Sequence, residues 1–326
     1  MDEKLQQPNT YFPVFSLKFL KGYIVHMRPY LLFVSGIAGL TGMSLSGQEM
    51  SLGVFLMGFL PFFLGYGFGQ ALTDCYQIDT DSISSPYRPL VKKEISPQSV
   101  KAVSLIGLVG IFSSLSLLNT YNLFFGFLMV VGILTYTYFK KNYWFTGPFY
   151  NGWIVMLLPV TGHLAVTGGS PSVLFDSKMF LVAMMTLFSY ANFVLIGYLK
   201  DIEADRETGY KTFPVVFGWD KSVLIGDIFL IISATIAIFL TNGSFLALAL
   251  AVIATCVAVS GQTFAHVTHD KSEKNATYPI VCTVRSFILW HSAVILVYKP
   301  SWLIFLLCFY ALYELTLDRR PSKEQV

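Results

Sequence analysis

The sequence predicts an all-α integral membrane protein with nine or ten transmembrane helices, and three observations predict it. Of 326 residues, 54% are hydrophobic, 16% aromatic and only 13% charged, far from the balance of a soluble domain. Apolar runs of about 20 residues, the length that crosses a hydrocarbon core of about 30 Å, recur along the chain. Lysine and arginine collect in alternate short loops, as membrane topology requires.

Residues 1–28 read as a polar to amphipathic N-terminal segment. Its first twelve residues, MDEKLQQPNTYF, lack the short apolar core and small-residue cleavage site of a secretory signal, so no cleavable signal is expected. The predicted spans are 30–46, 52–72, 100–118, 123–139, 149–166, 179–199, 223–240, 245–263 and 280–297, with 302–315 as a tenth. Residues 29–316 form one transmembrane domain, and 317–326 form a polar tail.

With the N-terminus in the cytoplasm, Arg88, Lys92, Lys93, Lys140, Lys141, Lys200, Arg206, Lys211, Lys221, Lys271 and Lys274 share the cytoplasmic side. Lys178 and Lys299 fall opposite. A tenth span returns Arg319, Arg320 and Lys323 to the cytoplasm. The net charge of +3, spread over short loops, gives no basic patch for nucleic acid. Cys75, Cys256, Cys282 and Cys308 are scattered without CxxC spacing, so neither a disulfide framework nor a zinc site is expected.

Two polar clusters interrupt the apolar pattern. Residues 70–93, QALTDCYQIDTDSISSPYRPLVKK, leave the end of the second span. If a helix continues through them, Gln70, Asp74, Gln77 and Asp81 share one face, at offsets of four, seven and eleven. The second cluster, Lys200-Asp201-Ile-Glu-Ala-Asp205-Arg206, leaves the sixth span, four spans later and therefore at the same membrane face. Two four-helix units, each contributing one acidic helix end to a central cavity, would make the site pseudo-symmetric.

Ionised carboxylates beside lipid need a partner or a cavity. Asp74, Asp81, Asp201 and Asp205 would repel one another unless cations sat between them. Mg²⁺ suits such a set, because it takes carboxylate oxygens, keeps water and completes its shell with substrate phosphate. With Arg88, Lys92, Lys140 and Lys200 nearby in sequence or at the same face, the parts describe a diphosphate clamp at the mouth of an apolar cavity. A prenyl diphosphate has the matching head and tail. Loss of its diphosphate leaves an allylic cation that dry aromatic walls can stabilise; Tyr66, Phe68, Tyr136, Tyr138, Tyr150 and Tyr198 lie near the right span ends. Gln70 and Gln77 would line the same cavity.

These residues carry a resemblance. The run from Asp81 through Pro86-Tyr87-Arg88-Pro89 is similar to an Asp-rich motif followed by Arg-Pro. Asp201-Ile-Glu-Ala-Asp205-Arg206-Glu-Thr-Gly209, continuing to Pro214 and Gly218, is similar to a second DxxxD motif. The chain thus resembles the UbiA superfamily of intramembrane prenyltransferases, in its chlorophyll-synthase and homogentisate-prenyltransferase-like branches. Arg28-Pro29 and Tyr136-Thr137 with Lys140 are weaker echoes. The resemblance implies a UbiA-like bundle and Mg²⁺ held by Asp74, Asp81, Asp201 and Asp205. It also implies phosphate contacts from Arg88, Lys140 and Lys200, and prenyl transfer to a lipophilic acceptor, aromatic in those branches. The first motif departs from the family: Thr73 stands for Asn, Gln77 for the first of two aspartates, and Leu90-Val91-Lys92-Lys93 for Pro-Ser-Gly, which leaves the metal number open. A UbiA-type terpene cyclase, with the substrate's own double bond as nucleophile, is the alternative. A transporter using His163, Arg285 and His291 is a remote one, since transporter sites lie near the bilayer midplane.

Overall fold

The structure is a computed structural model that describes residues 11–322; residues 1–10 and 323–326, which include most of the segment read for a signal and Lys323 of the topology argument, lie outside the described residues. An amphipathic helix α1 (Leu17–Met27) leads into a short α2 (Leu32–Leu45) and a long α3 (Leu52–Asp74). The short α4 (Ile78–Ser84), about two turns long, precedes α5 (Pro97–Leu118), α6 (Tyr121–Asn142), α7 (Thr146–Thr167) and α8 (Ser177–Gly197). Two short helices, α9 (Ile202–Glu207) and α10 (Phe213–Phe217), are followed by α11 (Trp219–Thr241), α12 (Phe245–Val267), α13 (Thr277–Tyr298) and α14 (Leu303–Asp318).

Side-chain caps start several of these helices. Ser51 accepts the Val54 N–H at α3, Ser96 the Ser99 N–H at α5, and Asp176 the N–H groups of Lys178 and Met179 at α8. At the far end of α7, Gly168 adopts φ 61°, the left-handed stop that glycine accepts without strain. Helices of 23 residues such as α3 and α12 reach about 34 Å at 1.5 Å per residue, enough for a bilayer core. Their outer faces are apolar: Ile106, Leu117, Phe239 and Leu307 are all more than 60% exposed, which water would penalise and lipid does not.

Among the described residues, nine helices (α3, α5 to α8 and α11 to α14) are long and apolar enough to cross a membrane. A tenth span arises if α1 and the 29–45 segment, bent by 45°, count as one. The expected counts hold but the doubtful span changes: 302–315, read as the tenth, is among the nine, whereas the expected first span 30–46 reaches crossing length only together with α1. The bend falls at Arg28-Pro29, where Arg28 takes φ 49° and Pro29 supplies no N–H to continue the helix.

The helices close a ring. Neighbours pack from α2 through α3, α5, α6, α7, α8, α11 and α12 to α13, which returns against α2. The α2–α7 crossing is backbone on backbone: a Cβ at Gly42 would overlap the Pro159 carbonyl, and one at Gly162 would overlap that of Gly39. Small residues permit such approach, which is how membrane helices gain packing where lipid offers no hydrophobic drive. On the opposite face from the site, buried Lys299 donates to the Gly47 carbonyl (3.1 Å) and to Glu49 (2.9 Å).

The continuous helix expected over 70–81 does not form. Beyond Asp74, the N–H of Tyr76 donates to the Thr73 carbonyl (2.9 Å) and that of Gln77 to the Asp74 carbonyl (3.3 Å); α4 restarts at Ile78. In a straight helix Asp74 and Asp81 would stand about 10 Å apart along the axis. The turn folds them inward, so that one guanidinium, Arg88, meets both. The 3₁₀ turn Tyr198–Lys200 and α9 carry the second cluster to the same end of the ring. There α4 packs against α9, and the hydroxyls of Thr80 and Thr208 meet at 3.4 Å.

Candidate active site

A cavity opens between α3 and α8 at the end of the ring that carries both acidic clusters. Its deep part is apolar, walled by Phe62, Leu108, Ile111, Phe112, Leu115 and Met129. Its middle is amphipathic, with Tyr66, Gln70, Gln77, Tyr136, Tyr190 and Tyr198. Its mouth carries Arg28, Arg88, Lys140, Lys200, Asp81 and Asp201. The gradient matches a molecule with an anionic head and a long apolar tail.

The carboxylates fall into two sets. Asp81 and Asp201 line the cavity, whereas Asp74 and Asp205 lie behind its wall and are 2% and 0% exposed. Asp81 pairs with Arg88, which also stands 3.6 Å from Asp74. Burial alone would lower the Arg88 guanidinium, but the Asp81 and Asp74 carboxylates outweigh it and hold the group above its ordinary range. Asp205 sits 3.2 Å from Lys140 and accepts from the Thr212 hydroxyl (3.1 Å). Burial nonetheless raises its acid to about 6, with Lys140 opposing the shift. Lys140 also lies 5.0 Å from the ring centres of both Tyr198 and Tyr210, an arrangement that favours a cation.

Asp201 and Lys200 stand apart from these pairs. Both line the cavity, and among the described residues no side-chain hydrogen bond or ion pair engages either. The four carboxylates expected to converge do not form one cluster: among the described residues, no three acid, histidine or cysteine side chains meet in a metal-holding group. The donors that face the cavity, Asp81, Asp201 and the Gln77 amide, are all oxygen, which suits a hard divalent cation that keeps waters and shares phosphate oxygens.

Of the other residues singled out in the sequence, Arg88, Lys140, Lys200, Gln70, Gln77, Tyr66, Tyr136 and Tyr198 all line the cavity. Tyr136 and Tyr198 meet through their hydroxyls at 2.7 Å, and Tyr190 donates to Tyr66 at 3.5 Å. Lys92 is exposed and outside the lining, carried away by the turn after Arg88. Tyr138 is exposed, Tyr150 shares a 2.6 Å hydrogen bond with Thr135, and Phe68 packs on Tyr23; none lines the cavity. His291 sits 2.9 Å from the Thr41 hydroxyl and Arg285 pairs with Glu314 at 2.7 Å; both are interhelical ties.

Sequence reading missed His26, Asn151 and Tyr190, and gave Arg28 only as an echo. His26 was findable: Phe19, Tyr23 and His26 recur at four and three residues, the buried stripe of an amphipathic helix. Asn151 and Tyr190 lie within apolar spans and carry no local signal.

The profile of the UbiA prenyltransferase family matches residues 35–290, most of the chain. The chain belongs to the UbiA prenyltransferase family. It is therefore an enzyme that moves a prenyl group from an isoprenoid diphosphate to an acceptor. Curated relatives include the digeranylgeranylglyceryl phosphate synthase of Saccharolobus solfataricus, 27% identical over 219 residues (65% of this chain, 74% of the relative). That of Thermococcus sibiricus is 28% identical over 220 residues (64% and 73%). Among solved structures, a UbiA homolog from Aeropyrum pernix K1 superposes with a TM-score of 0.70 at 19% identity, covering 81% of this chain and 97% of its own. A UbiA homolog from Archaeoglobus fulgidus bound to DMAPP and Mg²⁺ superposes with a TM-score of 0.60 at 15% identity (83% and 98%). These likenesses establish the UbiA fold.

Proposed function

We propose that this UbiA-family enzyme catalyses Mg²⁺-dependent transfer of a prenyl group to the hydroxyl of a lipid that itself carries a phosphate. The observation that carries the reading is the mouth of the cavity: four cations, Arg28, Arg88, Lys140 and Lys200, face it against two carboxylates, Asp81 and Asp201. Asp74 and Asp205 behind the wall balance two of those cations, and a divalent cation on Asp81 and Asp201 would restore the positive charge that anionic ligands need. The name of the relatives, digeranylgeranylglyceryl phosphate synthases, points the same way.

Asp81 and Asp201 would hold the divalent cation, with Asp205 and Asp74 one layer back. Bound there, Mg²⁺ supplies positive charge to the diphosphate oxygens and makes the diphosphate a better leaving group. Arg28, Arg88 and Lys200 bind and orient the diphosphate at the mouth, and Lys140 neutralises charge that accumulates as the C–O bond to the prenyl carbon breaks. The tail lies in the apolar depth, where Phe62, Ile111 and Phe112 keep water from the allylic cation. Tyr66, Tyr190 and Phe193 line the wall there, where aromatic rings can stabilise that cation. The acceptor oxygen then forms the new bond, and its proton leaves with diphosphate or water.

An aromatic acceptor, expected from the branches the sequence resembles, is the second reading, and the tyrosine-rich middle of the cavity favours it. Purified protein offered prenyl diphosphates of several lengths with a glyceryl-phosphate lipid, a phenolic quinone precursor or no acceptor separates the readings by product mass. An ether lipid supports the first. A prenylated phenol replaces it with the second, and a cyclic hydrocarbon formed without acceptor replaces both with a cyclase. The excess of lysine and arginine at the site's end supports a cytoplasmic mouth and N-terminus.

A further inference from the structure

Asp74 is the most heavily partnered side chain of the site. Its Oδ1 accepts from Gln70 Nε2 (2.8 Å) and Arg28 Nη2 (3.1 Å); its Oδ2 faces His26 Nδ1 (2.9 Å) and Arg88 Nη1 (3.6 Å). The direction of the histidine bond follows from its other nitrogen. Nε2 accepts the Leu90 N–H at 3.3 Å and so carries the lone pair, which puts the proton on Nδ1, donating to Asp74. An ionised carboxylate offers about four lone-pair sites, and four donors surround this one. Three of them hydrogen-bond to it, and the Arg88 guanidinium at 3.6 Å sets a positive charge against its remaining side, which disfavours a cation there.

Its placement agrees. Asp74 does not line the cavity, but Arg28 and Arg88, the two guanidiniums it holds, do. Each of those keeps a buried Nε without a hydrogen-bond partner, so donor capacity remains for a ligand. The buried Arg88 and half-buried Arg28 guanidiniums would repel one another in a low-dielectric site, and the carboxylate between them offsets that repulsion. His26 is fixed in turn by α1, whose Phe19 and Tyr23 pack beside Cys75, Leu90 and Ile95.

We propose that Asp74 is a positioning residue, held by His26 and Gln70, that aims Arg28 and Arg88 at the diphosphate, and that the divalent cation binds from the side of Asp81 and Asp201 without it. Here the chain departs from the first-motif role that the sequence implies for Asp74. The inference rests on the diphosphate reading of the cavity.

The test uses the full-length protein in detergent, Mn²⁺ as a paramagnetic probe and inorganic pyrophosphate as the anion. Bound Mn²⁺ per chain is read by electron paramagnetic resonance at saturating pyrophosphate, and pyrophosphate affinity by calorimetry. Asp74→Asn should keep the parent's Mn²⁺ stoichiometry while its pyrophosphate Kd rises roughly tenfold or more, the loss of charge-assisted hydrogen bonds to the ligand. Asp81→Asn and Asp201→Asn should lose Mn²⁺. His26→Phe should weaken pyrophosphate in the same direction as Asp74→Asn, and His26→Asn, whose amide can still donate, should restore most of it.

Loss of a Mn²⁺ ion in Asp74→Asn, or an unchanged pyrophosphate Kd, overturns the proposal. Unchanged Mn²⁺ and pyrophosphate binding in Asp81→Asn and Asp201→Asn overturns instead the underlying reading of the cavity. If Asp74→Asn elutes as aggregate, Asp74→Glu and the His26 pair decide on the same two readouts.

Discussion

Lys140 on α6 and Asp205 on α9 form an ion pair of 3.2 Å in which the side chains are 4% and 0% exposed, so a charge on the last turn of one span is neutralised by the second acidic motif. Neither partner can be lost without leaving the other buried and uncompensated.

Lys140→Met should therefore destabilise the protein by about 3–5 kcal/mol at pH 8, the cost of breaking a buried pair from one side. The cost depends on pH, with a definite sign. Burial raises the Asp205 acid to about 6, so the folded chain binds this proton more tightly than the unfolded one. That contribution to folding is full below the unfolded value, near 4, and fades as pH climbs through about 6. At pH 5 Asp205 is largely protonated and needs no partner, so the Lys140→Met penalty should shrink. Thermal unfolding in detergent at both pH values checks this; equal penalties would exclude the ionised pair.

The deep end of the cavity should act as a stop for the prenyl tail. On α3, Thr73 near the mouth and Pro61 near the floor both line it, about 18 Å apart at 1.5 Å per residue. Filling the floor with Leu115→Trp should lower kcat/KM for long prenyl diphosphates at least tenfold relative to short ones, the scale that pocket volume commands. Competition between donors of different length, read by product mass, gives the ratio. A uniform loss across lengths would show that the tail does not reach Leu115.

Glycines at the α2–α7 crossing should tolerate no side chain. Gly42→Val drives methyls into the Pro159 backbone, which has no rotamer to yield, and should abolish the monodisperse detergent-solubilised protein. Gly110 on α5 has open space around its Cβ direction, and Gly110→Ala should be neutral or stabilising by about 0.5–1 kcal/mol through helix propensity. Size-exclusion profiles and thermal midpoints of the pair test the crossing directly.

A cytoplasmic mouth predicts one-sided labelling. Exposed Lys92 leaves the turn beside the site, whereas Lys178 starts α8 at the opposite end. In sealed right-side-out vesicles, a membrane-impermeant maleimide should modify Lys178→Cys and spare Lys92→Cys until the vesicles are opened. The reverse pattern would invert the topology.

Much of this architecture was legible in the chain. The spans are set by runs of apolar residues whose helical length matches a bilayer, and the Asp201–Asp205 spacing survives as one turn in which the Asp205 N–H donates to the Asp201 carbonyl at 2.7 Å. The 70–81 stretch misled, because its period of offsets is helical while Thr73 and Asp74 end the helix through tight turn bonds that periodicity cannot reveal. Lys92 misled for a related reason: proximity in sequence to Arg88 placed it at the site, and one turn of backbone carries it into solvent.

By itself the sequence determined that the protein lives in the membrane, that its polar groups gather at one face, and that Arg88, Lys140, Lys200 and two acidic motifs belong together there. Composition and period suffice for that, because burial in lipid penalises each charge on its own. Only the tertiary structure decided which carboxylate faces the cavity and which is spent on a neighbour. Asp81 and Asp201 point into it, Asp205 is taken by Lys140, and Asp74 by His26, Gln70, Arg28 and Arg88. The role of a buried acid is set by the donors packed within about 3 Å of it, and for three of Asp74's four partners those donors come from separate segments of the chain.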